Sequence, residues 1–281
     1  MAPDAPFSFA ERAVYVRPAE TVVLADIHLG RGEASAVDAP IDAAERVVSR
    51  LDRLLDRFEP ETVVVAGDLL HSFSWVPRGV RETVERIETR VDDSGATLVC
   101  TPGNHDRMLE DVFAGETADA YRLADGRTIV SHGHEHPDSI DDSTSETNEA
   151  ASPRDDSTSE TDEPTPDTDD PASHRDEPVT RIFGHDHPAL ATDGRKRPCF
   201  LYGPPGRSGH EDAAGEADEP GVLVLPAFSQ LARGTKINDR PARDFQSPLL
   251  SDVDGLYPIV RDDDAGETHW FPRLGKCRHV L

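Results

Sequence analysis

The sequence predicts an α/β fold built on a parallel sheet, and three observations carry that expectation. Short apolar runs at 21–25, 62–66 and 96–100 read as buried strands. Between them, residues 38–58 and 77–92 space their apolar side chains for amphipathic helices. Each apolar run ends in a short polar word: Asp26-Ile27-His28, Gly67-Asp68, and Gly103-Asn104-His105-Asp106. Strand, helix, strand implies a right-handed crossover, and in such sheets ligands collect beyond the carboxyl ends of the strands.

The elements follow in order. Residues 13–17 and 21–25 are β-rich and separated by Pro18, so they read as paired strands. Alternation at the end of the second puts Asp26 and His28 on one side, where a carboxylate and an imidazole can share a cation; a solvated loop is the plain alternative. Ile41, Val47, Val48, Leu51, Leu54, Leu55 and Phe58 define the first helix. The strand 62–66 runs into Gly67-Asp68-Leu69-Leu70-His71, and Pro77 opens the second helix. After Cys100 a Pro-Gly turn presents an amide, an imidazole and a carboxylate in succession, and Gly103 lets the backbone approach an ion or phosphate. Residues 119–123 and 127–131 read as a hairpin around Asp125-Gly126, delivering Ser131-His132-Gly133-His134-Glu135-His136.

From 137 to 178 the composition collapses into Asp, Glu, Ser, Thr and Pro, with fifteen acidic and two basic residues. The heptad Asp-Asp-Ser-Thr-Ser-Glu-Thr occurs at 141–147 and again at 155–161. Such a stretch cannot bury apolar surface, so the expectation is a disordered insertion interrupting one domain that spans 1–281. Order resumes with the strand 179–183 and Gly184-His185-Asp186-His187. A loose stretch, 203–221, precedes the strand 222–225 and Pro226-Ala227-Phe228; 257–260 and 269–271 read as closing edge strands.

Acidic residues number 55 against 29 basic, a formal net charge of −26, and only three of the basic residues are lysine. That balance resembles the proteins of salt-in halophilic archaea. It argues against a polyanionic partner at low salt, an argument that weakens at molar salt, where the Debye length is ~3 Å. Three scattered cysteines make neither a disulfide framework nor a zinc knuckle. No stretch approaches the ~20 apolar residues of a membrane span, and residues 1–12 have no apolar leader core. The expectation is a cytoplasmic protein with no membrane partner.

Collected, the polar words offer imidazole, carboxylate and amide donors, a set that suits Mn²⁺, Fe or Zn²⁺ better than Ca²⁺ or a thiolate metal. A carboxylate can also bridge two ions ~3.5–4 Å apart, the arrangement used for in-line displacement at phosphorus. Asp-x-His, Gly-Asp, Gly-Asn-His-Asp, His-Gly and Gly-His-x-His, in that order over about residues 21–190, resemble the calcineurin-like metallophosphoesterase superfamily. The resemblance implies a two-sheet β-sandwich flanked by helices, in α-β-β-α layers, with two divalent metal ions at the strand ends, Mn first and Fe or Zn as alternatives. It implies a first ion on Asp26, His28, Asp68 and His187, and a second on Asp68, Asn104, His132 and His185. His105 would act as proton donor or phosphate binder, oriented by Asp106. Gly-His-x-His occurs at both 133–136 and 184–187, but 107–131 contains no histidine. The earlier copy therefore cannot be the terminal motif. His134 and His136 are surplus and expected to be solvated; His71 has no assignment.

Ala25-Asp26-Ile27-His28-Leu29-Gly30, Gly67-Asp68-Leu69-Leu70-His71 and Pro226-Ala227-Phe228 further resemble a narrower branch of archaeal phosphoesterases and bacterial DNA-ligase-associated phosphoesterases. The function implied is a metal-dependent phosphodiesterase or nuclease acting on DNA, other nucleic acid or nucleotides. A phosphomonoesterase acting on a small metabolite or phosphoprotein is the alternative. An inactive scaffold is disfavoured because none of the motif positions is replaced. Arg31, Arg78, Arg81, Arg107, Arg233 and Lys236 are candidates for a polymer-binding groove, against the reading of ordinary surface cations.

Overall fold

The computed structural model describes residues 5–31, 40–71, 74–136, 180–192, 194–206, 220–232 and 234–278. The acidic insertion at 137–178 lies outside the described residues.

The hairpin of β1 (Phe7–Ala10) and β2 (Ala13–Val16) feeds β3 (Thr21–Leu24). From there the chain makes two crossovers. Helix α1 (Pro40–Phe58) leads to β4 (Thr62–Val65), and α2 (Val80–Asp93) leads to β5 (Thr97–Cys100). β3, β4 and β5 are parallel neighbours, and β6 (Glu116–Thr117) adds a parallel edge. The six strands lie in sequence order.

The central strands β3, β4 and β5 are mostly apolar because both faces are covered. Val22, Leu24, Val63 and Val65 pack with Val48, Leu51 and Leu54 of α1 and Val84 and Ile87 of α2. Val23, Val64 and Val99 point the other way, into a core shared with Val130, Ile182, Phe200, Leu223 and Ile259.

Those partners belong to a second sheet. It holds β7 (Ala120–Arg122), β8 (Thr128–Ser131), β9 (Thr180–Phe183), β12 (Phe200–Gly203), β13 (Gly221–Val224), β15 (Tyr257–Asp262) and β16 (Glu267–Trp270), in the order β16-β15-β12-β13-β9-β8-β7. Its outer face buries Phe183, Leu201, Val224 and Val260 against Leu190, Ile237, Phe245, Leu256 and Leu274. This outer layer is built from turns, the short helix α3 (Leu274–Cys277) and a small sheet of β10 (Pro188–Thr192), β11 (Arg195–Pro198) and β14 (Thr235–Lys236).

The two-sheet sandwich is the architecture expected. Its two flanks differ among the described residues: long helices cover the first sheet, whereas α3, a 3₁₀ turn at Ala242–Asp244, strands and loops cover the second. The sequence reading assigned no strand to 7–10 or to 188–203. β11 is Arg-Lys-Arg-Pro with three exposed residues, a charged edge with no apolar signal to read.

Candidate metal centre

Because β3, β4 and β5 run parallel, the chain leaves all three at one edge of the sheet. Asp26, Asp68 and Asn104 stand just past those ends. β8 and β9 are parallel too, and His132 and His185 follow them. Backbone pairing continues into the loops: Asp26 N–H donates to Gly67 O at 3.0 Å, His28 N–H to Asp68 O at 2.9 Å, and Gly184 N–H to His132 O at 3.1 Å. Two glycines let the loops close over the carboxylates. A Cβ on Gly103 would collide with the Asp68 carboxylate, and one on Gly184 would meet Asp26 Oδ2 at 2.5 Å. Five of the candidate ligands, Asp26, His28, Asp68, His185 and His187, have φ between +47° and +68°. That left-handed backbone is unfavourable for residues with a Cβ and concentrates at functional sites.

All seven expected ligands converge. His187 Nε2 lies 3.1 Å from Asp26 Oδ1 and 3.3 Å from His28 Nε2. In a second group, His132 Nε2 lies 3.1 Å from Asn104 Oδ1 and 3.2 Å from His185 Nδ1. Asp68 stands between: Oδ2 is 3.8 Å from His28 Nε2, and Oδ1 is 3.5 Å from His132 Nε2. His132 Nδ1 is 3.2 Å from the Ala66 carbonyl. With its N–H given there, Nε2 presents a lone pair toward two oxygens and another imidazole. A pocket of facing acceptors is what a cation requires, and a backbone carbonyl on the far ring nitrogen is the usual support for a ligating histidine. The donor atoms of Asp26, His28 and His187, and those of Asp26, Asp68 and His132, lie within 4.8 Å of one another. The residues present fit a dimetal group.

The electrostatics agree. Burial pushes Asp68 up to about 8, and the neighbouring Asp26 carboxylate adds to it. Burial also pushes Asp26 up, but His187, His132 and His28 more than offset this and hold its carboxyl below the ordinary range. Burial first and the like charge of Asp26 second thus favour the protonated form of Asp68, while Asp26 stays ionised. Burial pulls His28 down to about 3 and His132 to about 4. Neutral imidazoles are the form that binds metal.

His105 sits at the rim. Its backbone N–H donates to Asp68 Oδ1 at 2.9 Å, and its ring Nε2 is 4.0 Å from Asp68 Oδ2. The expected orienting role of Asp106 is corrected here. The ring N–H at Nδ1 of His105 is directed at the His71 carbonyl, 2.8 Å away. The buried Asp106 carboxylate instead accepts backbone N–H groups from Leu70 (2.8 Å), Gly103 (2.9 Å) and Leu69 (3.3 Å). Its side chain turns back into the loop, joining the Gly-Asp loop to the Gly-Asn-His-Asp loop.

His71 also acts through its ring, which stacks on His105 at 5.5 Å and meets His28 edge-on at 5.4 Å. His134 is half-buried, with its ring 5.2 Å from that of His132, so it is not the solvated residue expected; His136 is exposed. Two supports escaped the sequence reading. Asp186, between the two terminal histidines, is buried and accepts N–H groups from Gln246 at 2.8 Å and Ser247 at 3.1 Å. Arg50 binds Glu11 and donates to the Phe228 carbonyl at 2.5 Å, while Arg12 donates to Ser229 O at 2.7 Å. These arginines hold the 226–229 loop, whose Phe228 N–H bonds Ala25 O at 2.8 Å behind Asp26. Of the candidate groove cations, Arg31 and Arg78 border a cavity beside His28, Lys236 pairs with Asp239, and Arg233 lies outside the described residues.

The profile of the calcineurin-like phosphoesterase family matches residues 20–200. The chain belongs to that family, hydrolases of phosphoester bonds whose members use a dimetal centre. Among solved structures, the nuclease MPE of Pseudomonas putida is similar at 22% identity, over 93% of this chain and 92% of that one, with a TM-score of 0.53. Yfce, a phosphoesterase from E. coli, is 15% identical over 90% of this chain and 98% of that one, with a TM-score of 0.39. No curated protein matches the chain. No helix among the described residues is long and apolar enough to cross a membrane.

Proposed function

We propose that the chain is a phosphodiesterase acting on nucleic acid or nucleotides, dependent on two divalent ions with manganese the first choice. The observation that carries this reading is Asp68, which turns one carboxylate oxygen toward each histidine group. On this reading Asp26, His28, Asp68 and His187 hold one ion, and Asp68, Asn104, His132 and His185 the other. When bound, the ions would supply Lewis acidity and a water acidic enough to attack phosphorus near neutral pH.

The chain's own residues do the rest. Asp68 and Asp26 keep the pair of sites anionic. Backbone bonds lock the ligand loops in one geometry, so little reorganisation remains for the reaction. His105, oriented through Nδ1 by the His71 carbonyl with Nε2 on the Asp68 side, is the residue that hands a proton to the departing oxygen. Asp106 is a positioning residue here. The diester preference draws support from the narrower sequence branch and from the fold shared with a nuclease. We read residues 1–281 as one domain, with 137–178 inserted between the fourth motif and the fifth.

Hydrolysis of bis-p-nitrophenyl phosphate, a thymidine 5′-p-nitrophenyl diester, a 2′,3′-cyclic nucleotide and p-nitrophenyl phosphate by the manganese-loaded chain tests the reading. The diesters should turn over faster than the monoester. A preference for the monoester would replace the diesterase reading with that of a phosphomonoesterase.

A further inference from the structure

Next to the metal centre a cavity of about 370 Å³ opens between α1, α2 and the 226–231 loop, a size ordinary for small-molecule sites. His28 and Gly30 line it on the side of the metal centre. Its floor is apolar: Leu29, Val47, Val80 and Phe228 are all buried.

Its border is cationic. Arg46 and Arg78 are exposed, line the cavity and have no ion-pair partner among the described residues. Glu45 is neutralised by a two-point pair with Arg86, which leaves Glu82 as the opposing acid among the described lining residues. Helix α2 begins there just after Gly79, with no side-chain cap over its first N–H groups, and such an end favours anions.

In a phosphodiester of this kind, the part with an apolar body and phosphate on either side is the nucleoside unit, which an apolar floor with a cationic border beside the metal centre fits. We propose that this cavity is the subsite for the nucleoside next to the scissile phosphate, with the following phosphate facing Arg46, Arg78 and the start of α2. The proposal rests on the phosphodiesterase reading above and adds to it where the substrate's non-reacting part goes.

Calorimetry on the full-length, manganese-loaded chain tests it, with thymidine 5′-monophosphate and inorganic phosphate as probes. The nucleotide should bind at least about tenfold tighter than phosphate, a difference of ~1.4 kcal/mol. Ala44→Trp, which fills the cavity from α1, should abolish most of that difference, and Arg78→Glu, a surface change that leaves packing alone, should reduce it. In parallel, the ratio of kcat/KM for the thymidine diester over bis-p-nitrophenyl phosphate should fall in both variants. Equal affinity of the wild-type chain for the two probes would overturn the subsite, as would a preference that survives both substitutions. Failure to hydrolyse either diester would sink the phosphodiesterase reading instead, and calorimetry would still decide the cavity.

Discussion

His105 is held from two directions: its ring Nδ1 by the His71 carbonyl and its backbone N–H by the Asp68 carboxylate. On the proposed assignment each ion would have four protein ligands without His105, and its imidazole would serve proton transfer. General-acid help is worth roughly 10²–10⁴ in rate. His105→Ala should therefore keep both metals by elemental analysis and lose turnover by about that factor. The loss should be larger for a nucleoside alkoxide leaving group than for nitrophenolate, which departs unprotonated. An equal loss on both would make His105 a phosphate binder. Asp106 makes the opposite prediction. Removing a carboxylate shared by two buried N–H groups and a half-buried one costs at least about 2 kcal/mol. Asp106→Ala should thus lower Tm distinctly, and what activity remains should show the wild-type dependence on leaving group. A changed leaving-group dependence would restore Asp106 to the proton chemistry.

Among the elements, parallel strands with buried faces were easy to read. Val22 to Leu24, Val63 to Val65 and Val99 to Cys100 are apolar because helices cover one face and the second sheet the other. A polar residue directly after such a run has few reasons to be there except the edge where ligands collect. Asp26, Asp68, Asn104, His132 and His185 were legible for that reason. What was hidden depends on partners far away in sequence or on backbone atoms. Asp106 receives two of its three N–H groups from residues 36 and 37 positions earlier, and no side-chain pattern marks a carbonyl such as that of His71 as the partner of His105. The Arg50–Glu11 pair joins residues 39 positions apart and looks like surface charge on a helix until α1 is docked. β11, all charge, offers no pattern either.

At the scale of the whole molecule, the site's protons link stability to metal and pH. His28 and His132 titrate at about 3 and about 4 when folded, against an ordinary value of 6.5. Between those limits the unfolded chain binds more protons, so stability falls as pH drops below 6.5. Asp68 is displaced the other way, from 3.8 to about 8. There the folded chain binds more protons, so stability falls as pH rises toward 8. The metal-free protein should therefore be most stable near pH 6.5 and lose Tm toward pH 8. On the proposed assignment a divalent ion would replace the Asp68 proton, so the Tm gained on adding Mn²⁺ should be greater at pH 8 than at pH 6. Equal gains would mean that Asp68 is not at the ion.

The central claim, that two ions share Asp68 and together hydrolyse a diester, is tested most directly by titrating Mn²⁺ into the chelator-treated chain while following bis-p-nitrophenyl phosphate hydrolysis. Activity should stay low through the first equivalent, rise through the second and then level off. Full activity at one equivalent, or hydrolysis by the metal-free chain, would contradict it.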